Sequence, residues 1–85
     1  MKEIKYVFKA PMGLHGRPAS QLAASASKYK CSIEVGNPGK MVNGKRVLGV
    51  MGLTLKQGDE LTMTFEGEDE EAAAVFFTEF LEKNA

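Results

Sequence analysis

The strongest constraint on this chain is a hydrophobic rhythm that changes along its length. Ile4, Tyr6 and Phe8 alternate with Lys5, Val7 and Lys9, the period of a strand with one buried face. Cys31, Ile33 and Val35 alternate in the same way, as do Leu61, Met63 and Phe65 against Thr62, Thr64 and Glu66. Elsewhere the period lengthens. Ala19, Leu22, Ala23 and Ala26 recur at helical spacing, and Ala73, Phe76, Phe77, Phe80 and Leu81 form a longer stripe of the same kind. These are the apolar faces of two amphipathic helices.

Turn chemistry separates the segments. Pro11 to Gly13 ends the first strand, and Pro18 suits the first turn of the helix that follows, where no amide donor is needed. That helix is expected to end near Lys28 to Lys30, with basic residues at the negative end of its dipole. Asn37-Pro38-Gly39 is a turn from which Lys40 to Val42 returns as a short third strand. Gln57-Gly58-Asp59 is another turn, and Glu68 to Glu71 supply acids to the first turn of the last helix. Val47 to Leu53 is almost wholly apolar, yet too short and glycine-rich for a good central helix. The order is β-α-β-β-α-β-α. It predicts an α+β fold of two layers, with helices packed on one face of an antiparallel sheet.

At 85 residues a single domain covering 1–85 is expected. Lys2, Glu3 and Lys5 interrupt the first residues, so no signal peptide is expected. The longest apolar run, Ala72 to Phe77, is too short to span a bilayer. One cysteine, Cys31, excludes an internal disulfide and a Cys-cluster metal site and fits a cytosolic setting. The net charge is zero, but residues 1–57 hold ten Lys/Arg and two acids, while residues 58–85 hold nine acids and one lysine. Folding either intermixes these charges or leaves a basic face around the sole histidine, His15, to attract an anion or an acidic partner. Nucleic acid is the weaker option as partner, since there is no RNP-like or zinc-finger pattern and the aromatics sit at core-like spacings.

His15 lies in Gly13-Leu14-His15-Gly16-Arg17-Pro18-Ala19-Ser20, just ahead of the first helix. The first amides of a helix point outward without intrahelical partners and add partial positive charge. An imidazole there tends to stay neutral and keeps a nitrogen lone pair. The same amides can hold an anion, and the Arg17 guanidinium can grip a phosphate through two bonds. Gly13 and Gly16 let backbone approach closely. His15 is therefore either a phosphoryl acceptor or simply a surface turn or cap residue. A serine-type triad lacks a nucleophile elbow, and one His with one Cys makes no zinc site.

These residues resemble the active-site signature of the histidine-containing phosphocarrier protein family, HPr, of the bacterial sugar phosphotransferase system. A second region, Gly39-Lys40-Met41-Val42-Asn43 with Lys45 and then Val47-Leu48-Gly49-Val50-Met51, resembles the family's other signature. The resemblance implies an open-faced sandwich whose four-stranded antiparallel sheet runs 1-4-2-3, with three helices on one side. It implies a monomeric cytoplasmic carrier, not an enzyme, needing no cofactor or metal, with no nucleic-acid partner and no insertion into the membrane. Enzyme I would phosphorylate His15 on its δ1 nitrogen, Arg17 would stabilise the phosphate with the backbone of Gly16 and Arg17, and the IIA component of a sugar permease would take the group. Val47, Leu48 and Met51 would form the docking patch, although as a sequence they read equally as core.

The chain departs from the family at three positions. Arg46 stands where many members carry a regulatory serine, Met12 where a small polar residue is common, and Gly16 where alanine or threonine is usual. Phosphorylation at position 46 is therefore ruled out. The alternatives to a sugar-uptake carrier are a divergent paralogue in a regulatory or nitrogen-related phosphotransfer chain, and a binding module that is not phosphorylated.

Overall fold

The expected rhythm is realised in a computed structural model that describes residues 1–9, 17–37, 39–53 and 55–84. In chain order the elements are β1 (Lys2–Val7), α1 (Arg17–Ala26), β2 (Cys31–Asn37), β3 (Lys40–Asn43), α2 (Val47–Met51), β4 (Glu60–Gly67) and α3 (Glu70–Asn84). The strands form one sheet in the order β1-β4-β2-β3, antiparallel throughout. The last strand in sequence thus lies at the centre, with Thr64 opposite both Glu3 and Glu34. Beyond the end of β1 the pairing continues, Phe8 N–H donating to the Asp59 carbonyl at 3.0 Å.

One face of the sheet meets the helices. Ile33, Val35, Leu61, Met63 and Phe65 share a buried core with Leu22 and Ala26 of α1 and Phe77 and Leu81 of α3. Phe65 and Phe77 stack with ring centroids 5.9 Å apart. The other face carries Ser32, Glu34 and Glu66, all exposed. Thr62 departs from this alternation. It is buried although it lies on the polar register, because on the central strand it has Lys5 on one side and Gly36 on the other.

Two boundaries differ from expectation. Helix α1 stops at Ala26, so Lys28 and Lys30 lie beyond it in a turn closed by Lys28 N–H to the Ser25 carbonyl. A cation does reach this end, but from elsewhere: Lys45 Nζ donates to the Tyr29 carbonyl at 3.0 Å. In α3, only Glu70 and Glu71 occupy the first turn. Asp69 precedes it and accepts the Lys30 N–H at 2.8 Å, tying the start of α3 to the start of β2.

Candidate functional site

The site expected from sequence spans two places in the fold, the start of α1 and the helix α2. His15 and Gly16, the expected phosphoryl acceptor and its neighbour, lie outside the described residues, as does Met12. Arg17 is the first residue of α1, and its side chain is exposed. Pro18 follows in the first turn, where the missing N–H costs no helical hydrogen bond. Ala19 beneath it is fully buried and anchors this end of the helix in the core. The first turn of any α-helix leaves its amides without intrahelical acceptors. In α1 those are the amides of Arg17, Ala19 and Ser20, beside a guanidinium that faces solvent. Among the described residues no carboxylate lies within 4.0 Å of Arg17, so its charge is available to an incoming anion.

The second place is built by a tight turn. Gly44 N–H donates to the Ile33 carbonyl at 2.8 Å, and Asn43 Oδ1 accepts the Lys45 N–H at 2.9 Å. Arg46 then caps α2 with extended backbone and no side-chain cap. The helix buries only Val50, while Leu48 is 82% exposed and Val47 36%. Met51 is half-buried against the core. Sequence left Val47, Leu48 and Met51 open between core and surface. The structure places the first two on the surface and the third at its edge, while Val50 and Leu53 form the buried part of the segment.

Sequence reasoning missed the groove that joins the two places. Ser20 and Ala24 of α1, with Ser27 just past its end, face Lys45 and Val47 across a shallow groove of about 340 Å³. Its sequence signal was a set of small residues one turn apart on the face of α1 away from its buried stripe. The Lys45 ammonium turns to the Tyr29 carbonyl, leaving Arg46 as the exposed charge at the start of α2. The lone thiol, Cys31, is buried. Burial raises the Cys31 thiol, Asp69 and Glu70 add to the rise, and Lys45 opposes it, so at neutral pH it stays protonated. No cluster of metal-ligating side chains occurs among the described residues.

An exposed arginine opening a helix, a groove and an exposed apolar helix therefore lie side by side, α1 packing directly on α2. Known proteins share this fold. The chain matches the PTS-HPr family, described as "PTS HPr component phosphorylation site", over residues 2–83. It is 48% identical to the phosphocarrier protein HPr of Lysinibacillus sphaericus over 83 residues, covering 93% of this chain and 94% of that one. Its structure resembles the HPr-C-His crystal structure from Thermoanaerobacter tengcongensis, with a TM-score of 0.90 and 38% identity over 96% of this chain and 92% of that one. It also resembles a structure described as an HPr dimer from the same organism, with a TM-score of 0.76 and 37% identity over 98% and 95% of the two chains. The sheet order 1-4-2-3 with three helices is the HPr fold, and the chain belongs to the HPr family of phosphocarrier proteins, carriers and not enzymes, of the phosphotransferase system.

Proposed function

We propose that the chain carries a phosphoryl group on His15 from enzyme I to the IIA component of a sugar permease, in the cytoplasm and as a monomer. The observation that carries this reading is Arg17, exposed and free of carboxylates among the described residues, at the first residue of a helix that begins two residues after the only histidine. The δ1 nitrogen lone pair of neutral His15 attacks phosphorus, and the bond from phosphorus to its carrier group on enzyme I breaks, its electron pair returning to that group. The ε2 nitrogen keeps its proton throughout. Charge on the transferring oxygens falls to the Arg17 fork, to the first amides of α1, starting with that of Arg17, and to the backbone of Gly16 ahead of it. The partner rests on Val47, Leu48 and Met51. A small apolar contact with a charged rim supports weak, fast encounters, as a carrier that must release its partner requires.

The test is incubation with enzyme I and labelled phosphoenolpyruvate. The label should enter the wild type, survive base and be lost in acid, as a phosphoramidate is, and fail to enter His15→Ala. Label retained by His15→Ala, or acid-stable label in the wild type, would overturn the reading.

A further inference from the structure

The described surface holds a second apolar patch, away from the candidate site. On α3, Val75 is 64% and Phe76 38% exposed. The Phe76 ring is flanked by Phe77 at 4.9 Å, Tyr29 at 5.9 Å and Phe80 at 6.1 Å, and part of it still reaches solvent. Glu71 and Glu79, both exposed, stand one turn before and after Val75. This patch is apolar with acids on its rim, Glu71 lying 3.6 Å from Lys2 and Lys83 standing beyond Phe80. Its complement is on the same chain: exposed Val47 and Leu48 directly follow exposed Arg46, on a helix that packs against α1, whose first residue is the exposed cation Arg17. The two patches occupy different halves of the helical layer. α3 packs over β1 and β4, whereas α2 packs on α1 and beside β3 at the opposite sheet edge.

We propose that the α3 patch of one copy docks on the α2 patch of a second copy, head to tail. Leu48 sits against Val75 and Phe76, while Arg46 and Arg17 face Glu71 and Glu79. The two surfaces differ, so the contact is heterologous and leaves one free patch of each kind at the ends of a short chain of copies. Each patch is a few side chains wide, below the size of a standard interface, so the Kd is on the order of millimolar. The rims pair opposite charges at the surface, so salt weakens the contact. The association covers the α2 patch and therefore withholds carrier from other partners when the carrier is concentrated. It does not depend on phosphoryl transfer.

Sedimentation velocity over a concentration series tests this at about 0.01 M and about 1 M salt, where the screening length falls from roughly 30 Å to roughly 3 Å. The wild type should gain mean mass with concentration at low salt and remain monomeric at high salt. Val75→Lys alone and Leu48→Glu alone should each stay monomeric. Their mixture should form a complex, because Val75→Lys keeps an intact α2 patch and Leu48→Glu an intact α3 patch. A second pair, Glu79→Lys with Arg46→Glu, repeats the experiment should either apolar variant fail to fold. A wild type monomeric at every concentration, self-association surviving in Val75→Lys, or a mixture that stays monomeric would overturn the proposal. The labelling of His15 is read separately, so either idea can fail alone.

Discussion

Arg17 combines a helix start with an exposed guanidinium, the planar fork that the proposed transfer calls on. Lysine would keep the charge and lose the planar fork. Arg17→Lys should slow transfer from enzyme I by about tenfold or more, on the scale of losing one charge-stabilising donor, while the melting temperature stays put because the side chain is not part of the core. Equal rates in the two proteins would remove Arg17 from the mechanism. Glu70 is a structural carboxylate by contrast. The Gly67 N–H, donating to Oε1 at 3.1 Å, holds it below the usual carboxylate range, and the Met1 ammonium 2.9 Å from Oε2 adds to the effect. A lowered folded-state value means the stabilisation is complete above the ordinary value of about 4.3 and disappears as pH falls through the lowered one. The acid-induced drop in melting temperature between about pH 5 and 3 should therefore be shallower in Glu70→Gln than in the wild type; parallel curves would show that Glu70 contributes nothing to it.

At the scale of elements, the hairpin of β2 and β3 turns on Gly36. Its φ is +156°, and a Cβ there would stand 2.0 Å from the Lys40 carbonyl oxygen. The clash is with backbone of the paired strand, where Gly36 sits opposite Met41, so no side-chain rotation relieves it. Gly36→Ala should destabilise the protein by roughly 1–3 kcal/mol, read as a lower urea midpoint, with loss of amide protection concentrated in β3; an unchanged midpoint would refute the constraint. Sequence showed the turn at Asn37 to Gly39 but not this approach, which arises only once the strands pair. The same division holds elsewhere. β1, β2 and β4 were legible because each presents one face to the core, and a period of two survives in the residues themselves. The end of α1 was not, because the cation at that end is Lys45, brought there by the turn after β3. Phe76 belongs to the helical stripe of α3 by spacing, yet is 38% exposed, since the stripe is wider than the contact the sheet offers. In the candidate site, Arg17 and its helix start were legible from Pro18 and the apolar period, whereas the state of Val47 and Leu48 was not. A short apolar run reads alike buried or exposed until its neighbours are known, and here Val50 and Leu53 alone turn inward.

Across the whole molecule, folding resolves the uneven charge of the sequence only in part. Near the β1 edge the halves mix: the terminal ammonium pairs with Glu70, and Lys2 approaches Glu71 at 3.6 Å. On the α1–α2 side they do not. Arg17 and Arg46 are exposed, and among the described residues neither has a carboxylate within 4.0 Å. The cationic surface thus coincides with the proposed docking face, although the net charge is zero. A local field of this kind acts on association more than on the lifetime of a complex, and salt screens it. Arg46 also heads α2 without a side-chain cap, where a cation is mildly unfavourable, so replacing it should cost no stability. Arg46→Glu reverses the charge next to exposed Val47 and Leu48, and Arg46→Ser only removes it. At low salt, association with enzyme I should therefore slow in the order wild type, Arg46→Ser, Arg46→Glu, the last by up to about tenfold. At about 1 M salt, where the screening length is roughly 3 Å, the three rates should converge. Stopped-flow phosphoryl transfer with carrier held dilute and limiting measures this directly. Three indistinguishable rates at low salt would mean that Arg46 steers nothing and that the basic surface has no part in recognition.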